Sequence, residues 1–252
     1  MSAGPGELRI RPVVGLPEIV EGTAVGELIA ASAELADGDV IVISQKIVSK
    51  AEGRVRRLSS VLPGSEARRL AAVLGKEPAL VELILEESKE VLRAERGVLI
   101  VETEHGFVCA NAGIDNSNLP EPGTVCLLPK DPDASARQIR AELHAAAGAT
   151  VAVIVSDSFG RAWRLGQAEV AVGCAGIVPL DDWRGRTDAD GRKLEATLIA
   201  VADEAAAAAD LVRGKDSRVP AAIVRGLDRF VTTENGPGAV ALRRPHAEDL
   251  FR

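Results

Sequence analysis

The chain has 252 residues, enough for one large domain or two small ones. Apolar residues make up 46% of it but aromatics only 2%, with no Tyr, so the core must be close-packed Val, Ile, Leu and Ala, and there is no aromatic platform for stacking single-stranded bases. A formal net charge of −7 argues against a nucleic-acid groove or an anionic membrane surface as the main partner, while leaving room for a local basic pocket for a phosphorylated small molecule.

The opening Met1-Ser2-Ala3-Gly4-Pro5-Gly6 has no apolar h-region, and no apolar stretch is long enough to span a membrane. The expectation is a cytoplasmic protein. Cys109, Cys126 and Cys174 each lie in an apolar run without zinc-knuckle spacing and read as buried thiols. His105, His144 and His246 are isolated and form no His-rich metal motif.

Short β-branched runs recur along the chain. Val40–Ile43, Val98–Val101, Val125–Leu128, Val151–Val155 and Ala221–Val224 are apolar without alternation, which predicts strands buried on both faces. A shorter strand is expected at Phe107–Ala110. Pro78 stands in the first-turn position of a helix through Leu80, Leu83 and Ile84. Asp133 reads as the N-cap of a helix through Ile139 and Leu143. The longest helix is expected from about Leu194 to Arg213, with the Ala205–Ala209 run in its interior. The polar, glycine-rich stretch Asp181–Arg192 must be a loop or hairpin arm, an excursion at about residues 177–193 from a single domain spanning 1–252. Strands and helices interleave irregularly, so a mixed α/β or α+β architecture is expected over a clean doubly wound sheet, neither P-loop nor Rossmann. No Gly-Lys-Ser/Thr loop, no Gly-x-Gly-x-x-Gly after a strand and no His-Glu-x-x-His occurs. Asp188-Ala189-Asp190-Gly191 places its glycine too early for a calcium loop.

Three segments carry chemistry. The strand Val151–Val155 is expected to stop at Ser156-Asp157-Ser158, delivering a carboxylate and hydroxyls to a strand end, where α/β structures collect ligands. Gly160 then allows a turn, and Arg161 and Arg164 follow, placed to face an anion. A capping Asp157 with solvated arginines is the competing reading. In the second segment, Asn111, Asp115, Asn116, Ser117 and Asn118 pack more oxygen ligands and amide donors into one turn than a turn needs. Asp115 and Asp157 can share one cation if their strand ends are neighbours. The third is Ser44-Gln45-Lys46, with Lys50 beyond it, where a lysine at a strand end is a candidate phosphate ligand.

Together these segments resemble the coenzyme F-420 gamma-glutamyl ligase family. The resemblance starts at Gly15-Leu16-Pro17-Glu18-Ile19 and continues through Ser44–Gly53 and His105–Asp115. It then takes in Asp157–Arg161, Trp163-Arg164, Gly166-Gln167 and Ala222–Leu227. It implies an enzyme that joins L-glutamate to the lactyl carboxylate of F-420-0, with GTP hydrolysed to GDP and further glutamates added through gamma linkages. It also implies two divalent cations, Mg or Mn, a homodimer and an α+β ligase fold unlike common kinases. Carried over by position, the nucleotide contacts fall on Gly15, Leu16, Pro17, Glu18, Gln45, Lys50 and Asn118. The first metal falls on Asp115 and Asp157, and the second on Ser158, where some members have Thr. Catalytic roles fall on Asp157, Lys50 and Arg161 (or Arg164), and an acidic contribution from Asp203 or Glu204 stays open. Some members add a C-terminal flavin-reductase-like domain, for which Asp249–Arg252 leaves no room. A ligase of the same scaffold with another carboxylate substrate, and a non-catalytic GTP-binding protein, are the alternatives.

Overall fold

The structure is a computed structural model that describes residues 6–250. Met1–Pro5 and the closing Phe251-Arg252, on which the leader and chain-end expectations partly rest, lie outside the described residues. In chain order the elements are β1 (Arg9–Val13), α1 (Val25–Ser32), β2 (Val40–Ser44), α2 (Gln45–Ala51), β3 (Val55–Arg57), α3 (Ser65–Leu74), α4 (Pro78–Glu86), β4 (Ser88–Glu95), β5 (Val98–Thr103), β6 (Val108–Ala110), β7 (Thr124–Cys126), α5 (Pro132–Ala147), β8 (Ala152–Arg161), β9 (Arg164–Ala175), β10 (Asp181–Asp182), β11 (Leu198–Ile199), α6 (Val201–Asp210) and β12 (Ala221–Arg225).

The apolar runs at Val40, Ala152 and Ala221 become β2, β8 and β12, interior strands of a five-stranded sheet ordered β1-β12-β2-β8-β9. Only β2 and β8 pair in parallel; the other neighbours are antiparallel. Both faces of these strands are covered, which is why their sequences show no polar alternation. Ile41, Ile43, Val153, Val155 and Ile223 point to one face, against Ile29 of α1 and Ile139 and Leu143 of α5. Val40, Val42, Ile154 and Val224 point to the other, against the alanines of α6. Ala205, Ala206 and Ala209 are buried, and their small side chains let α6 lie close to the sheet. At Gly173 of β9 the constraint is absolute, since a Cβ there would run into the Pro132 carbonyl at the start of α5.

A further core joins α3 and α4 to β5, β7 and the turn after β6. Here Val98–Val101 departs from expectation. It alternates between exposed and buried because β5 sits in a three-stranded sheet, β4-β5-β6, covered on one face only. The strand at Val125 begins and ends early, at Thr124 and Cys126, because its partner β3 has just three residues. The strand expected at Phe107 starts one residue later.

Two helix boundaries also differ. Asp131, not Asp133, caps α5, accepting from the Ala134 amide at 2.9 Å, because Pro132 takes the first helical position. Asp133 instead accepts from the Cys174 and Ala239 amides at 2.8 and 2.7 Å, tying α5 to β9. The helix expected from Leu194 begins at Val201. Leu194 exchanges backbone hydrogen bonds within a polar arm, and Leu198-Ile199 pairs with Asp181-Asp182. Among the described residues no helix is long and apolar enough to cross a membrane.

All three cysteines are buried. Burial, with help from nearby carboxylates, pushes the Cys109 and Cys174 thiols up to about 12 and raises Cys126 as well. A thiol that is neither ionised nor accessible is a poor nucleophile. The native protein is therefore expected to leave an aromatic disulfide reagent unreacted at about pH 8 and to release three equivalents on unfolding. Fast stoichiometric reaction of the native protein would contradict this.

Candidate active site

The strand expected to stop at Val155 runs on to Arg161, because β9 pairs with it along its whole length. What stops is its parallel neighbour, since β2 ends at Ser44, opposite Ser156. From Asp157 onward β8 and β9 form a two-stranded ribbon that leaves the sheet. A register shift falls between Val155 and Ser156, at the point of departure.

On a strand, successive side chains face opposite sides. Ser156 and Ser158 face one side of the ribbon with Glu169 of β9, while Asp157 and Phe159 face the other. The Asp157 side also holds Asp115, whose charge reaches Asp157. Asp115 sits just past three consecutive left-handed residues, Asn111, Ala112 and Gly113. Such a run is unfavourable for Ala and is the kind of backbone cost that functional turns retain. The Asn111 side-chain oxygen in this turn is buried and has no hydrogen-bond partner among the described residues.

Lys46, at the start of α2, gives all three of its protons to this turn. Its Nζ lies 2.6 Å from Asp115 Oδ2, 2.7 Å from the Ser117 carbonyl and 2.8 Å from Ser117 Oγ. Burial pushes the Asp115 carboxyl up, but the donors from Lys46 and Ser117 more than reverse it and hold it below the usual range. Asp157 has no ion-pair partner among the described residues. Burial, then the charges of Glu169 and Asp115, push it up to about 7.

One turn further along α2, Lys50 bridges two loops. Its ammonium meets Glu18 Oε1 at 2.5 Å and the Asn118 carbonyl at 3.2 Å. Glu18, Lys50 and Asn118 therefore converge, and Gly15, Leu16 and Pro17 lie in the same loop as Glu18. Gly15 takes φ +79 there and Leu16 packs onto the sheet core. Gln45 is placed differently. It is buried, with its side-chain oxygen accepting from Ser49 Oγ at 2.9 Å, so its side chain braces α2. Arg161 lies at the ribbon tip, with its guanidinium on the Leu165 and Gly166 carbonyls. That is about 13 Å along the strand from Asp157 at 3.3 Å per residue. Arg164 is exposed beside it. Asp203 accepts from the Ala171 amide at 2.9 Å and anchors α6 to β9.

The opposite side of the ribbon carries a network that motif reading missed. The Ser156 and Ser158 hydroxyls both donate to Glu169, which is 5% exposed. Arg213, equally buried, meets Glu169 Oε2 at 3.1 Å and Ser156 Oγ at 3.2 Å. Lys215 reaches Ser158 Oγ at 2.8 Å. Burial alone would raise Glu169, but the two hydroxyls, Arg213 and Lys215 more than offset it and leave its carboxyl lowered. An available signal was the acidic residue breaking the apolar run of β9, with two cations, Arg213 and Lys215, just after α6.

Fold and site together define the class: an α+β protein with a charge-based centre. Paired carboxylates lie on one side of a ribbon, lysines bridge the loops around them, and the thiols are all buried. Comparison with known proteins then gives the family. Residues 14–226 match the profile of F420-0:Gamma-glutamyl ligase. The chain is 47% identical over 242 residues to "Coenzyme F420:L-glutamate ligase" of Methanothermobacter thermautotrophicus, covering 96% of this chain and 95% of that one. It is 44% identical over 247 residues to the protein of that name from Methanopyrus kandleri, covering 97% and 98%. The Haloarcula marismortui protein of that name is 46% identical over 228 residues, 88% of each chain. The chain belongs to the F420-0:gamma-glutamyl ligase family.

Proposed function

We propose that this protein ligates L-glutamate to the lactyl carboxylate of F-420-0 at the expense of GTP, then extends the tail through gamma linkages. The observation that carries the reading is the convergence of Glu18, Lys50 and Asn118 around one ammonium. One helical turn earlier Lys46 binds Asp115, and Asp157 feels the charges of both.

A carboxylate does not react with an amine until activated. In the route proposed, a lactyl carboxylate oxygen attacks the γ-phosphorus of GTP, the bond to the bridging oxygen breaks, and GDP leaves. The neutral glutamate α-amine then attacks the acyl carbon, inorganic phosphate departs, and the proton shed by the nitrogen passes to the departing phosphate. Lys50 meets the triphosphate as a positive charge beside the Glu18 loop, while Lys46, its protons committed to the Asp115 turn, adds its charge at longer range. Holding the reactants in line contributes about 7–11 kcal/mol of the barrier reduction, and exclusion of water protects the acyl phosphate.

The donor set on the Asp157 side fits a hard divalent cation. Among the described residues Asp157 has no ion-pair partner, it lies beside a second carboxylate, and the Asn111 side-chain oxygen of the turn is unpartnered. Among the described residues no three His, Cys, Asp or Glu side chains converge to hold an ion alone, so phosphoryl oxygens would complete its shell. When bound, Mg or Mn neutralises phosphoryl charge and aligns donor with acceptor. The same reading makes the protein a cytoplasmic homodimer. In its support, Trp163 and Leu165 at the ribbon tip are 83% and 98% exposed, a surface a second copy would cover.

Incubation with F-420-0, GTP, Mn or Mg and L-glutamate, with products resolved by mass, is expected to show stepwise addition of glutamyl residues. Folded protein that yields no such product would sink the reading. Equal rates with ATP would remove its guanine element alone.

A further inference from the structure

Resting on the reading of Asp115 and Asp157 as a cation seat, we infer that the Lys215 ammonium stands where a second divalent cation would sit, so that each protomer works with one. The second cation falls by family position on Ser158. That hydroxyl has one proton and two lone pairs. Its proton is committed to Glu169, because a carboxylate only accepts, and the Lys215 ammonium donates to the oxygen at 2.8 Å. The oxygen a second cation would use already faces a positive charge.

The charge balance on the two sides of the ribbon points the same way. On the Asp157 side two carboxylates share the Lys46 ammonium, leaving negative charge to be met. On the Ser158 side one carboxylate, Glu169, meets two cations, Arg213 at 3.1 Å and Lys215 at 3.7 Å. A dication added there would face two like charges at close range. Arg213 is buried and held by Glu169, Ser156 and Asp210, so it cannot withdraw. Lys215 differs, because its side chain is 72% exposed. Its ammonium is open to solvent and can meet an incoming phosphoryl oxygen while Glu169 steers it to Ser158.

Counting bound Mn2+ tests this, by electron paramagnetic resonance of the free ion during titration with a non-hydrolysable GTP analogue stoichiometric with protein. The wild type is expected to hold one ion per protomer and Lys215→Met two. Because Lys215 is exposed, Lys215→Met should unfold at the wild-type temperature. Its ligation rate should fall about 10²-fold at low Mn2+ and recover as Mn2+ rises, an effect of the size of one charge-stabilising group lost from a reacting centre. Two ions in the wild type, or one in Lys215→Met, would overturn the inference. Asp157→Asn separates the two levels of the argument. Loss of the wild-type ion there supports the Asp115–Asp157 seat, whereas retention removes that seat and the inference with it.

Discussion

Asp157→Asn is expected to abolish ligation, with a drop on the order of 10³-fold or more, the range seen when an electrostatic group at a reacting centre is removed. The protein should stay folded. Asp157 is half-buried, without an ion-pair partner among the described residues, and its charge is disfavoured by burial, by Glu169 and by Asp115. A neutral amide of the same shape removes that repulsion. The pH dependence of stability follows with a definite sign. The folded-state pKa is raised, to about 7 from 3.8, so the folded protein holds this proton more tightly than the unfolded chain. The stability it contributes is fully present below the unfolded value, is lost as pH rises toward 7, and is flat above. Since the carboxyl is partly solvated, the effect should stay well under the ~4 kcal/mol that three units would give for a fully buried group. Metal-free wild type should therefore lose stability between about pH 4 and 7 relative to Asp157→Asn. Adding Mn2+ should remove the difference, because the cation takes the proton's place. Parallel pH profiles for the two metal-free proteins, or ligation by Asp157→Asn at the wild-type rate, would refute the assignment.

The legible and illegible parts of this molecule differ for physical reasons. A strand covered on both faces needs apolar residues at every position, so Val40–Ile43 and Ala221–Val224 announce themselves as central strands. The ribbon beyond Ser156 does not. Its two faces serve different clusters, so serine and aspartate alternate and the run resembles a polar loop. Its strand character comes from β9, a long-range pairing that local sequence does not encode. The end of the Val40 strand beside it is what gives the segment its place at a sheet boundary.

Side-chain roles divide in the same way. Lys50, Glu18 and Asn118 converge because α2 follows directly on a central strand and aims both its lysines at the same loop. Gln45 and Arg161 show the limit of position alone, since one is turned into the core and the other onto its own hairpin. Glu169 left little trace because it is a single charged residue among apolar or small ones, and Arg213 because it stands in a run with Lys215, Asp216 and Arg218 that reads as a solvated loop. Their meaning lies in a partner 44 residues away.

That pair sets the second large effect. Arg213→Ala is expected to destabilise the fold by about 3–5 kcal/mol, the cost of leaving a buried charge without its partner. Glu169 would retain two hydroxyl donors and the exposed Lys215, which cannot replace a guanidinium packed at 3.1 Å. Replacing both members by apolar residues, as in Arg213→Met with Glu169→Met, should recover much of the loss, since no buried charge is then stranded. Chemical denaturation of the two single variants and the double variant measures this as a cycle. Acid should distinguish them as well. In the wild type the Glu169 carboxyl is lowered from 4.5, so its contribution is present above that value and is lost as pH falls through the folded-state pKa. In Arg213→Ala one of the groups that lowers this carboxyl is gone, so the loss of stability on acidification should be smaller than in the wild type. Additive single-variant losses, or an Arg213→Ala cost below about 1 kcal/mol, would mean that the pair is solvated and that the ribbon is held by its backbone ladder instead.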